Sequence, residues 1–132
     1  MSEPGGPAAA AEAFLGAFSV ADFERMRETL DEHVVAHITN AGGGIDRVDG
    51  RETLLARIEA MDLPAVRYSV ELTQPPVEVD AERALVMVEV RAERDGRTLH
   101  NFAAHLFRAA GGRISEWRMV DAKPAESDRF WS

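Results

Sequence analysis

The stretch GGRISEWRMVDA, residues 111–122, decides the fold. Its glycine pair marks a turn, and the residues after it alternate so that Trp117, Met119 and Asp121 share one face of a strand. With that face turned inward, a carboxylate stands at the end of an apolar wall. Asp121 is then either a strand-end charge that meets water or a backbone amide, or the working acid of a pocket.

Upstream of that turn the period of two continues. The run RTLHNFAAHLFR follows Asp95-Gly96, a strong hairpin signal, and reads as a strand neighbouring the last one. In ERALVMVEVRAE the residues Val86, Val88, Val90 and Ala92 oppose Met87, Glu89, Arg91 and Glu93. In AVRYSVELT the residues Val66, Tyr68, Val70 and Leu72 form one face, which puts Tyr68 on the buried side before Pro75 and Pro76 interrupt the run. At least four long antiparallel strands follow one another as a meander.

Further toward the N-terminus the period lengthens to that of helices. The alanine-rich segment from Ala8 to about Phe18 sets Phe14 and Phe18 four apart, and ADFERMRETLDEH places Phe23, Met26 and Leu30 on one face. HVVAHIT (33–39) reads as a strand, and Asn40 to Gly50 as a glycine-rich loop forming a rim or lid. A third helix is predicted from Asp49 and Glu52, spaced as a capping box, with Leu54, Leu55, Ile58 and Met61 as its stripe. Three helices ahead of a twisted antiparallel sheet predict an α+β fold with helices over one sheet face and a cone between them, the natural place for an apolar pocket.

The 132 residues fit one domain, expected over residues 8–122, after a flexible lead-in at 1–7 and before a tail at 123–132. The tail, KPAESDRFWS, carries Phe130 and Trp131, which predicts that it docks, on its own domain, over a pocket mouth or along a dimer seam. A net charge of −8 without a basic cluster argues against nucleic acid. No run of 18 apolar residues and no basic, apolar leader stand in the sequence, so neither a membrane span nor a signal peptide is expected. The absence of cysteine removes disulfides and thiolate chemistry and suits a reducing cytoplasm. No H-x-x-x-H pair on a helix, His-x-His or tight acidic cluster suggests a metal, and the AGGG loop lacks the ending of a phosphate loop.

Taken together, HVVAHITN before a glycine loop, DGRETLLARI opening a helix and AAHLFRAAGGRISEWRMVDA closing the sheet resemble the SnoaL-like branch of the nuclear transport factor two-like superfamily, over roughly Ala8 to Ala122. The resemblance implies a cone-shaped α+β barrel, three N-terminal helices on a strongly curved, mainly antiparallel sheet. It also implies a hydrophobic small-molecule ligand, no cofactor and a homodimer. Its members include polyketide cyclases, ketosteroid isomerases, epoxide hydrolases, dehydratases and binding proteins without chemistry, so the fold alone does not fix the function. In the epoxide-hydrolase branch the last strand resembles Trp-Arg-Asp-Tyr; here Met119 follows Trp117 and Arg118, which speaks against that mechanism.

The candidate residues follow from parity. Asp121 is expected as general acid or base, with His105 hydrogen-bonded to it across neighbouring strands as a charged imidazolium donor. The plain alternative for His105 is a structural core histidine. His37 and Asn40 are candidate carbonyl donors, although a regular strand cannot place both on one face. Asn101, which shares parity with His105, is a further donor candidate, whereas His100 should face outward. Tyr68, Trp117 and Met119 would shape the wall, as core aromatics and apolar side chains also do elsewhere. A cofactor-independent enzyme performing aldol cyclisation, isomerisation or dehydration on a polyketide- or steroid-like molecule is the favoured expectation. A non-catalytic binding or assembly module is the rival, and an epoxide hydrolase a weaker third.

Overall fold

Two tight turns organise the second half of the chain. Asp95 and Gly96 both take positive φ, +51° and +76°, the twist that a two-residue hairpin requires, and Gly111 and Gly112 do the same between the next pair of strands. They join β5 (Arg83–Arg94), β6 (Arg97–Ala110) and β7 (Arg113–Asp121) into a meander. The computed structural model describes residues 6–132, so the greater part of the expected lead-in, residues 1–5, lies outside the described residues.

The sheet also contains β1 (Leu30–Thr39), β2 (Ile45–Asp49), β3 (Arg67–Leu72) and the short β4 (Val77–Glu78). Its order is β2-β1-β7-β6-β5-β3, with β4 also on β5. All pairings are antiparallel except β1 with β7, so the sheet is mixed but mostly antiparallel; it is curled and does not close into a barrel. Helices α1 (Pro7–Ser19), α2 (Phe23–Thr29), α3 (Arg51–Glu59) and α4 (Pro124–Trp131) pack with it.

Several local expectations are corrected. The second helix stops at Thr29, because Leu30 opens β1, pairs with Ile114 and is fully buried there. The glycine-rich loop is only five residues long, residues 40–44, since Ile45–Asp49 forms β2 against β1. The capping box does not form: Asp49 belongs to β2 and pairs with Val35, while Gly50 at φ +93° caps α3 without a side-chain bond. Glu52 is instead ion-paired with Arg27 of α2. The tail forms a fourth helix, with Pro124 in its first turn, Glu126 after it and Arg129 in the last turn, the positions the helix dipole favours.

One extra residue sets the direction of β7. Arg108 pairs with Glu116 and Ala109 with Ile114, leaving Ser115 as a bulge. Ile114 and Trp117 therefore both face inward although three positions apart. The inner face of β6 carries Leu99, Asn101, His105, Phe107 and Ala109, all buried. Phe14 of α1 lies edge-on to Phe107 and Trp117, at 6.0 and 5.3 Å between ring centres, and joins helix to sheet at the centre of the core.

Candidate functional site

Between the inner sheet face and the helices lies a cavity of about 400 Å³, within the size class of small-molecule sites, roughly 300–1,000 Å³. α1 supplies Phe14 and Phe18, α3 supplies Leu54 and Ile58, and the sheet supplies Val88, Val90 and Met119. The wall is apolar because each of these strands keeps its period of two.

Seven of the eight sequence-derived site residues line this cavity: Asn40, Tyr68, Asn101, His105, Trp117, Met119 and Asp121. His37 does not. It has the opposite parity to the buried Ala36 and Ile38 and lies on the other face of β1.

The polar tips are engaged differently from expectation. His105 stands opposite Met119, whereas Asp121 stands opposite Ala103, one inward-facing step along the strand pair. The expected His105–Asp121 bond is therefore absent; His105 Nδ1 instead accepts a hydrogen bond from Trp117 Nε1 at 2.9 Å. The imidazole is stacked with the rings of Phe107 and Trp117. Burial pushes its pKa down to about 4, so it is neutral at physiological pH, the reverse of the expected imidazolium.

Asp121 Oδ1 accepts from Asn101 Nδ2 at 2.6 Å and from the Lys123 backbone N–H at 2.8 Å. Oδ2 has no protein partner among the described residues, and Asp121 as a residue lines the cavity. Asn101 Nδ2 also donates to Ser127 Oγ of α4, and its Oδ1 accepts from the Phe102 N–H. With every polar atom engaged, Asn101 holds the carboxylate rather than standing free for a ligand carbonyl.

Asn40 is committed too: its Oδ1 accepts from the Gly42 and Gly44 N–H groups and its Nδ2 donates to Asp46, which folds the glycine turn around it. Asp46 is held by Arg57 at 3.1 Å as well, and these two bonds lower its pKa. Tyr68 donates its hydroxyl to the Phe18 carbonyl, and burial pushes its pKa upward. Tyr68 and Trp117 thus contribute ring surface while their polar ends brace the protein.

Asp46, Arg57, Ser127 and Asp128 also line the cavity and were not anticipated from the sequence, whereas Trp131, expected to dock with the tail, lines it as well. The signal for the last three was the amphipathic tail, whose Phe130 is buried against Val66, Ala92 and Leu99. Among the described residues, no three acidic or histidine side chains gather as a metal site, and no helix is long and apolar enough to cross a membrane.

A family model described as a SnoaL-like domain matches residues 11–117. Three solved structures share the fold at low identity. An epoxide hydrolase of M. tuberculosis described as LEH-like is 21% identical over 90% of this chain and 84% of its own, with a TM-score of 0.71. A putative polyketide cyclase of Pseudomonas putida is 22% identical over 86% and 90%, at 0.68. A Mycobacterium tuberculosis protein in complex with estradiol-17beta-hemisuccinate is 17% identical over 86% and 92%, at 0.72. A search of curated protein sequences gave no match.

Proposed function

The chain belongs to the SnoaL-like family, and on that premise we propose that it is a small enzyme that moves a proton on a hydrophobic, carbonyl-bearing polycyclic molecule, in an aldol cyclisation, isomerisation or dehydration. The observation that carries this reading is the state of Asp121. One of its oxygens is fixed by Asn101 and Lys123, the other has no protein partner among the described residues, and the residue stands at the end of an apolar wall. A held carboxylate with one open oxygen can take a proton from carbon and return it along the same path. Met119, Trp117 and Tyr68 supply surface for a flat ring system, and His105 places a second polar group on the cavity floor.

The test is deuterium uptake from heavy water into a panel of polycyclic ketones, followed by mass spectrometry. The wild type exchanges a ketone that fits, and Asp121→Asn lowers the rate by about 10²- to 10⁴-fold, the usual weight of a general base. Unimpaired exchange in the variant removes Asp121 from the mechanism.

A non-catalytic binding module is the second reading. It is favoured by the engagement of Asn40, Tyr68, Asn101 and Trp117 within the protein, which leaves few groups for chemistry. It predicts a ligand that binds and returns unlabelled. Epoxide hydrolysis is the weakest reading, because Met119 puts an apolar side chain beside Asp121 on the wall where an acidic partner for water is needed.

The proposed state is a homodimer formed through the outer sheet face, where Met87, Phe102 and Val120 are exposed beside the Glu89–His100 pair. Val120→Lys should shift sedimentation from dimer to monomer; an unchanged sedimentation coefficient rejects that face.

A further inference from the structure

His105 has one nitrogen assigned and one open. An indole N–H can only donate, so the bond from Trp117 Nε1 requires a lone pair on His105 Nδ1. In a neutral ring the proton then lies on Nε2. That atom has no hydrogen-bond partner among the described residues, yet no side-chain nitrogen or oxygen is sealed away unsatisfied there. Because the residue is only 7% exposed and its ring lines the cavity, Nε2–H opens onto the cavity itself.

We infer that His105 is a tautomer-locked, neutral donor on the cavity floor, whose Nε2–H receives a ligand's carbonyl oxygen and selects neutral carbonyl compounds over carboxylates. This rests on the proposed reading of the cavity as a small-molecule site. Burial in the Phe107 and Trp117 stack withholds the positive charge that would favour an anion, and Trp117 acts as the positioning residue that fixes the tautomer.

The other titratable groups facing the cavity strengthen the preference. They are Asp46 from β2, Arg57 from α3, Tyr68 from β3, Asp121 from β7 and Asp128 from α4. Three carboxylates thus face one guanidinium, and that guanidinium is paired with Asp46. An anionic ligand would meet net repulsion, whereas a ketone meets one fixed donor. With His105 one inward step below Asp121, about 7 Å along the strands, a ketone seated oxygen-down presents carbon further up the same molecule to the carboxylate.

The experiment uses the full chain labelled uniformly with ¹⁵N, with proton–nitrogen correlation spectra in which the His105 ring signals are assigned by their loss in His105→Leu. The expected spectrum has Nδ1 bare and Nε2 protonated, unchanged from neutrality to about pH 5. Trp117→Phe should produce a mixture of tautomers. Acetylnaphthalene, naphthalene and naphthoate, which share one ring system, serve as probes. Acetylnaphthalene should shift the Nε2 signal and bind about threefold to tenfold tighter than naphthalene, with naphthoate weakest; His105→Leu should remove the preference. Should that variant not fold, Trp117→Phe and the wild-type probe series give the answer alone.

A proton on Nδ1, a titration near 6.5, or naphthoate binding as tightly as acetylnaphthalene overturns the assignment. Probes that shift Trp117 and Met119 signals but not His105 overturn it while leaving the cavity as the ligand site. Probes that shift no cavity residue overturn both. Loss or retention of deuterium exchange in Asp121→Asn bears only on the rim chemistry.

Discussion

The floor and the rim of the cavity are built by opposite rules. At the floor, Phe14, Phe107, Trp117 and His105 form an aromatic cluster with a single internal hydrogen bond and no charge. At the rim, Asp121, Asn101, Ser127 and the Lys123 backbone form a chain of bonds around a carboxylate, with α4 laid across it. The same two strands supply both ends, so the difference comes from which residues occupy successive inward positions. A ligand would gain its affinity and orientation below and its reactivity above.

The contrast is most open to attack at the floor. Phe107→Ala should cost about 3–5 kcal/mol of stability, since the ring is fully buried against Phe14 and Trp117. Urea denaturation measures it, and a loss below about 1 kcal/mol would mean that this cluster is not the centre of the core.

A second attack uses pH. His105 has its folded pKa lowered from 6.5 to about 4, so between those values the unfolded chain binds the extra proton. Stability is full above pH 6.5 and falls as the pH drops toward 4, by about 3 kcal/mol in all. His105→Leu should flatten that part of the stability curve; an equally steep variant would assign the slope to other groups.

The rim responds to subtler changes. Asn101→Ala should lower kcat about tenfold or more with KM nearly unchanged, because it releases the carboxylate without altering the wall. A change in KM alone would make Asn101 a binding group. Smallest of all, Ser127→Ala should cost about 1 kcal/mol of stability through the lost bond from Asn101, with exchange rates near wild type. A large rate effect would bring α4 into the chemistry.

The inward face of β6 and β7 was legible because period two survives from Leu99 to Ala109 and from Trp117 to Asp121. That face contains most of the candidate site. Partnerships were less legible, since the His105–Trp117 bond is a diagonal contact between strands: each residue's direct neighbour is another, Met119 and Phe107 respectively. β2 was hidden because its five residues, only one of them buried, follow a run of glycines. Leu30 misled because its spacing continues a helix while its pairing with Ile114 decides its state. The tail's helix was obscured by shortness, although Pro124, Glu126 and Arg129 were all correctly placed for one.

Ser115 adds a meaning of another kind. It contributes nothing to the cavity, yet as the single supernumerary residue of β7 it sets the phase of everything after it. Were the same sequence to pair with β6 without this bulge, Ile114 and Trp117, three positions apart, would face opposite sides, and Met119 and Asp121 would turn with Trp117 out of step with Ile114. The chain would then have to choose between a buried Ile114 and a lined cavity. A one-residue insertion thus acts as a frame marker, separating the part of the strand that builds the core from the part that faces a ligand.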